Sequence, residues 1–488
     1  MNNMKIRDCT KLIGAIAMMA TISQFAVAGD LGSKPNIVVI LADDMGYGDA
    51  GCYNTESKIP TPHLDRLARD GMRFTDAHTP SAVCSPTRYG LLTGRYPWRT
   101  EMKQGVLGAW DWPLIETNRL TLASMLKQFG YHTACIGKWH LGWEWQTTDG
   151  IPLKIDRQSD HQLRVKLAEA VDYTQPIGGG PLGAGFDYYF GDGAVNQPPY
   201  LWIENNRCLT QPTEPLLESI RKGSSNGPAT ADWDQTKVLP RITERAVQYI
   251  HERGRQKDTP FFLYFALTAP HVPVMPSKQY VGRSIFGSYG DFVCQVDDIV
   301  GTVTKELEQA GLAENTLVIF TSDNGSFANP KKGHSPSGEL RGKKGRIFEG
   351  GHRVPFLVRW PGKTTDGSVN NQLVGVNDVM ATVAAIVGHQ LADEACEDSA
   401  SLLPTLLDPT QSVRQDLVHH SRSGEFALRE GDWKLITDSS RKPIQLFNIG
   451  TDLGEKHNVF GKYPEVVKRL AGKLERQYQS GRSVQPDR

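Results

Sequence analysis

The chain has no excess of either charge. Its 54 lysines and arginines match its 54 aspartates and glutamates, which argues against nucleic acid as the main partner, because that partner demands a basic footprint. Cysteine is scarce, at seven in 488 residues. No two stand in a Cys-x-x-Cys or zinc-finger spacing, so the sequence offers neither a dithiol redox motif nor a structural zinc pattern. After residue 28 no apolar run is long enough to cross a bilayer. The glycines of residues 176–193 are not framed by a strand and a helix, so they are loop punctuation rather than a dinucleotide fingerprint. There is no internal repeat, and the oligomeric state is not legible.

What is present begins with a targeting segment. Lys5, Arg7 and Lys11 precede an apolar stretch over residues 12–22, and Ala26-Val27-Ala28 before Gly29 reads as a signal-peptidase site. Residues 1–28 are therefore expected to be a signal peptide, with the mature protein periplasmic or secreted. The apolar stretch is short for an anchor, and Cys9 precedes it, out of place for lipidation. Cys52, Cys84, Cys135, Cys208, Cys294 and Cys396 remain after cleavage. Disulfides are permitted in such a compartment, but the spacings name no pairs. The remaining length suits a large α/β domain over residues 29–404 and a small α+β one over residues 405–488.

Four apolar segments read as buried strands, and each ends in reactive side chains. Residues 37–41, a continuous run of Ile, Val and Leu, have the texture of a strand buried on both faces. They lead into Asp43-Asp44. Adjacent carboxylates repel each other unless a cation is present. At the carboxyl end of a parallel strand, where open α/β sheets bind ligands, oxygen ligands suggest a hard cation. Residues 317–322 repeat the design and end in Asp323-Asn324-Gly325. Residues 131–136 lead to Lys138 and His140, which share a face in an extended segment. Residues 261–266 lead to His271, pinned between Pro270 and Pro273 and a candidate general acid. Each feature alone has an ordinary alternative: a solvated acidic turn, a surface lysine, a packed histidine. Their repetition at strand ends favours a site.

Helical patterns at residues 61–72, 120–129, 240–253, 291–310 and 374–387 alternate with these strands. Further strands are expected at 73–77 and 354–360, and residues 144–173 read as a polar loop. The alternation predicts a large, mostly parallel sheet flanked by helices. After residue 404, short strands at 419–422, 426–429, 433–436 and 446–448 precede a helix at 464–479, which predicts a small antiparallel sheet with one helix.

The stretch the rest serves is Cys84-Ser85-Pro86-Thr87-Arg88, continued to Thr93-Gly94-Arg95. Pro86 biases Ser85 away from helix. The apolar run that follows can start one, which leaves Cys84 near a helix N-terminus, where a thiolate is stabilised. Arg88 is one turn on and can reach back. On these residues alone a buried structural cysteine is the favoured reading.

Cys-x-Pro-x-Arg followed four residues later by Thr-Gly resembles the signature of the type I, formylglycine-dependent sulfatases. The resemblance extends from about Pro35 to the C-terminal helix, with a texture like the arylsulfatase A and N-acetylgalactosamine-6-sulfatase members. Leu446-Phe447-Asn448 with Asp452, Gly454 and Glu455 resembles the family's C-terminal signature. The resemblance implies an alkaline-phosphatase-like α/β fold and a set of roles. Cys84 would be converted to formylglycine, whose hydrate attacks sulfur, and five thiols would then remain. Asp43, Asp44, Asp323 and Asn324, with residue 84, would enclose one divalent cation, usually Ca2+ in the family. Arg88 and Lys138 would lie near the formylglycine, with His140 assisting it. His271 would face the leaving oxygen. Lys344, directly before Gly345 and the Phe348-Glu349-Gly350-Gly351 run, would bind sulfate; Lys343 is the lower-ranked alternative. A serine that some members place after the Phe190-Gly191 pair is missing, and Asn196 is not assigned in its stead.

The implied partners are a sulfated hexose or hexosamine of a glycan and a maturation enzyme, either formylglycine-generating or radical-based. Trp110, Trp112, Trp143 and Trp145 offer sugar-stacking faces, although packing is the commoner role. Two other readings stand lower. A phosphoesterase of the alkaline-phosphatase-like group typically uses Ser or Thr, two zinc ions and more histidines. A non-catalytic glycan-binding relative would have less reason to keep every candidate catalytic residue.

Overall fold

In the computed structural model, which describes residues 34–156, 159–215 and 223–485, the sheet is built on the Asn36–Asp43 strand. All eight of its residues are buried, as its unbroken aliphatic run requires. It pairs in parallel with Phe261–Pro270 on one side and Thr316–Ser322 on the other. His132–Gly137 and then Tyr188–Gly191 continue the parallel order. Antiparallel pairings follow on both flanks. Phe356–Arg359 lies beside Thr316–Ser322 and is followed by Met72–Phe74; the other edge carries Ile203–Glu204 and Arg207–Cys208. With Ser368–Asn370 the mixed sheet has ten strands. Val38, Ile40 and Ala42 pack on one face against buried residues of the helices Pro62–Arg69, Val238–Gly254 and Ser288–Gln309.

Some expected elements differ. The strand expected over 73–77 is two short ones, Met72–Phe74 and Ala77–His78. Between them Asp76 turns into ion pairs with Arg353 and Arg429. The helix expected from 374 begins only at Val379, after the short strand Val374–Gly375 and the single tight turn Val376–Asp378, which Asp378 closes by accepting from Gly375 N–H while its other oxygen accepts from Ala400 N–H. The loop expected over 144–173 contains the helix His161–Ala168, capped by Asp160 through Leu163 N–H.

Pro35–Arg488 forms one compact unit. Within it Asp416–His420, Phe426–Glu430, Trp433–Thr437 and Pro443–Asn448 form an antiparallel meander. Leu428, Leu435 and Leu446 on one face cover Leu470 and Leu474 of the helix Pro464–Gln479. Ala427, Ile436 and Phe447 pack with Ile347, so this sheet backs the loop that carries Lys344. Its first strand also meets the cysteine loop: Ala82 N–H donates to His420 O at 2.9 Å, and Gly345 N–H donates to Ala82 O at 2.8 Å.

Residues 1–28, expected as a signal peptide, lie outside the described residues. No helix among the described residues is long and apolar enough to cross a membrane. All six described cysteines are free thiols.

Candidate active site

The ends of the parallel strands converge on the first turn of the helix Cys84–Thr93. Asp43 closes the central strand, and the register against Phe261–Pro270 shifts there. Asp44 follows in the left-handed region at φ 70°, a conformation that costs a non-glycine residue about 1–2 kcal/mol. Neighbouring groups hold it. Asp44 N–H donates to Asp323 Oδ1 at 3.1 Å, Met45 N–H to Ser322 Oγ at 3.0 Å, and Tyr289 OH to Asp44 O at 3.2 Å. Asp49 braces the same turn by accepting from Gly46 N–H and pairing with His334 at 2.9 Å.

Cys84 is the first residue of its helix and only 1% exposed. Its Sγ lies 3.5 Å from Asp43 Oδ1 and 3.9 Å from Asp44 Oδ1. Burial, and then the Asp323 charge, push its thiol well up. Desolvation and the adjacent carboxylates thus act against whatever the helix N-terminus contributes to a thiolate. Arg88 does not turn back to the thiol. It donates through Nε and Nη2 to Asp323 Oδ2 at 3.1 and 2.8 Å, and through Nη1 to Lys138 O at 2.9 Å.

Lys138 is fully buried, with Nζ 2.8 Å from Asp43 Oδ2. It turns inward directly after Gly137, whose φ is 105° and where a Cβ would lie 1.9 Å from Ala266 O. Lys344 Nζ sits 2.8 Å from Asp44 Oδ2, whereas Lys343 reaches away to Asn329 Oδ1 at 2.9 Å. His271 Nε2 lies 3.6 Å from Asp44 Oδ2, and burial lowers its pKa to about 4. His140, in the left-handed region at φ 55°, bonds Leu107 O through Nε2 at 3.0 Å, while its buried Nδ1 has no partner. Leu107 is itself held by Ser85, since its N–H donates to Ser85 Oγ at 3.1 Å.

Three buried carboxylates, Asp43, Asp44 and Asp323, thus face three cations, Arg88, Lys138 and Lys344. Burial works against an ionised Asp43, but Lys138, His271, Arg88 and Lys344 hold its carboxyl well below the usual range. Burial and the Asp43 charge push Asp323 up to about 6. Asp43, Asp44, Cys84 and His271 bring one ligand atom each to within 4.8 Å of the others. Asn324 donates Nδ2 to Asp44 Oδ1 at 2.7 Å, yet its buried Oδ1 has no partner. An orphaned amide oxygen beside carboxylates fits a hard divalent cation.

One buried group escaped the sequence reading. Asp192, 2% exposed, has no partner for either carboxylate oxygen, and burial raises it to about 7 against the pull of Lys138. A single aspartate in a glycine-rich segment carries no signal of this. Trp110, Trp143 and Trp145 are buried, and Lys154 sits 4.5 Å over the Trp112 ring. Asn196 lines a cavity of about 690 Å³ bounded by residues 101–111.

A strand-end cluster of carboxylates and cations around a cysteine, on a large mixed sheet with an appended four-stranded sheet, defines an alkaline-phosphatase-like hydrolase. The chain belongs to the sulfatase family and is a sulfuric ester hydrolase: the family model described as Sulfatase matches residues 35–389. N-acetylgalactosamine-6-O-sulfatase of Bacteroides thetaiotaomicron is 32% identical over 92% of this chain and 94% of its own. Human arylsulfatase A is 33% identical over 89% of this chain and 86% of its own. A solved structure from a study of glycosaminoglycan metabolism by Bacteroides thetaiotaomicron superposes with a TM-score of 0.79 at 31% identity, covering 92% of this chain and 100% of the other.

Proposed function

We propose that the chain hydrolyses sulfate esters of a sulfated hexose or hexosamine, with Cys84 matured to formylglycine and one divalent cation, Ca2+, bound beside it. The observation that carries this reading is the placement of Asp43 and Asp44 at Cys84 Sγ, with Asp323 and Asn324 bonded to Asp44, the Asn324 Oδ1 unpartnered, and Arg88, Lys138 and Lys344 paired with the three carboxylates. Asp43, Asp44, Asp323, Asn324 and residue 84 would hold the cation, which supplies positive charge for the ester's oxygens. Hydrated formylglycine supplies an attacking hydroxyl and a second hydroxyl through which sulfate is expelled, which a plain thiol lacks.

The chain's own residues do the rest. Lys138 and Lys344 lie on Asp43 and Asp44; with a cation bound there to share that neutralisation, both ammonium groups would be available to the sulfate oxygens. Preorganised charge of this kind is usually the largest catalytic contribution. Arg88, locked on Asp323 and Lys138 O, orients the ligand carboxylate. His271 Nε2 is assigned the leaving sugar oxygen; with Nδ1 donating to Val272 O, it delivers a proton from Nε2 only as the imidazolium, which the negative charge of a bound sulfate would favour against the effect of burial. His140, anchored on Leu107 O, has Nδ1 free to accept the proton of the second hydroxyl.

The buried state of Cys84 means that a maturation enzyme, formylglycine-generating or radical-based, meets this segment before the chain has folded. The basic, apolar and small-residue order of residues 1–28 supports export to the periplasm or beyond. Sulfate release from 6-sulfated N-acetylgalactosamine and 6-sulfated galactose, by wild type and by Cys84→Ala, tests the reading. Turnover by wild type alone supports it, and equal turnover by both overturns it.

A further inference from the structure

Beside the sulfate-binding lysine lies a second concentration of positive charge. The loops that follow Asn324 and precede Glu349 enclose a pocket of about 430 Å³. Arg341, Lys343 and Arg346 line it together with Asn329, Ser335 and Ser337, and no acidic residue does. Among the described residues none of these cations pairs with a carboxylate. Arg341 donates to the main-chain oxygen of Glu455 and stacks 3.8 Å over the Phe348 ring, Lys343 bonds the neutral Asn329 amide at 2.9 Å, and no partner accepts from the Arg346 side chain. In a chain with 54 charges of each sign, three uncompensated cations in one concavity are a specific feature.

The loop is held rigidly next to the reaction centre. Lys344 N–H donates to Ser326 O at 2.9 Å, Gly345 N–H to Ala82 O at 2.8 Å, and Arg346 N–H to Lys343 O at 3.0 Å. Lys344 turns to Asp44 while Lys343, one residue back, faces the pocket. The pocket thus begins one residue from Lys344 along the chain, and its guanidinium forks suit planar or tetrahedral oxyanions.

We propose that this pocket is a second anion subsite, which takes a sulfate or carboxylate on a sugar adjoining the one being desulfated, so that the natural substrate is a multiply anionic glycan. The inference rests on the sulfatase reading and deepens it. The test compares kcat/KM for three disaccharides that share the scissile sulfate: one with no other charge, one with a second sulfate, and one with a uronate carboxylate. Wild type should prefer at least one doubly charged substrate. Lys343→Gln/Arg346→Gln should cut that preference by roughly tenfold for each charge-assisted hydrogen bond removed, and the substrate whose advantage disappears identifies the group. Arg346→Gln alone serves if the double variant does not fold. No preference in wild type, or one that survives both substitutions, overturns the subsite. If wild type turns over none of the three, the proposed sugar substrate fails; calorimetric titration of the same disaccharides then decides the subsite alone. Weaker binding of the doubly charged ones by the variant supports it, and equal binding refutes it.

Discussion

Lys344 Nζ rests 2.7 Å from Asp44 Oδ1, so a side-chain ammonium occupies the carboxylate proposed to bind metal. Burial disfavours its charge, yet Asp44 keeps the ammonium well above its usual pKa. Lys344 is therefore held as an ammonium by the carboxylates around it and is placed to meet an anionic ester. Lys344→Ala should lower kcat/KM for a sulfated sugar by about 10²–10³-fold, the scale of one missing preorganised donor. Steady-state kinetics beside a melting curve checks this; a decrease under threefold would remove Lys344 from the sulfate site.

Asn324 offers the unpartnered oxygen of the metal site. Asn324→Ala should weaken Ca2+ binding by more than the roughly 10–100-fold that follows removal of an outer-shell partner. Calorimetric titration of metal-stripped protein measures it directly. Unchanged affinity would move the cation elsewhere.

His271 is assigned the leaving-group proton, and its contribution should scale with how much the leaving oxygen needs one. His271→Ala should lower kcat by about 10²–10⁴-fold on a sugar sulfate and far less on an aryl sulfate with an acidic phenol. Equal decreases on both would make His271 a binding group.

Behind the site, His78, His352 and His419 form a buried stack. His352 and His419 have ring centroids 3.9 Å apart, and His78 Nδ1 lies 3.0 Å from His352 Nδ1. The His78 ring is tilted by 38° to both of the others. Burial depresses all three below the usual histidine pKa. Their neutral forms are favoured in the fold, so their stability contribution is complete above about pH 6.5 and is lost as pH falls toward the folded pKa values. Each one that titrates costs up to about 1.4 kcal/mol per pH unit. His419→Phe removes one such group and its unpartnered Nε2. It should narrow the drop in Tm between pH 7.5 and 5. An unchanged drop would show that other groups govern acid stability.

Much of this was legible in the sequence because parallel strands buried on both faces are written as unbroken aliphatic runs. Residues 37–41 and 317–322 announced their strands and, through them, where Asp43 and Asp323 stand. The short edge strands such as Arg207–Cys208 have no such pattern, since two residues carry no period. Asp192 was invisible because its burial comes from packing around a glycine-rich turn. The carboxylates beside Cys84 were not legible for a similar reason: helix position is local, whereas Asp43 and Asp323 arrive from strands far away in sequence. The Arg341–Lys343–Arg346 segment reads as a flexible basic loop in sequence, because its backbone ties to Ser326 and Ala82 span the fold.

The measurement that bears most directly on the central claim is mass spectrometry of the tryptic peptide Phe74–Arg88, from protein made with a maturation enzyme and assayed for sulfate release in the same preparation. The account predicts an aldehyde in place of the Cys84 thiol, in proportion to activity across batches. Full sulfate-releasing activity in protein whose Cys84 thiol is intact would contradict it.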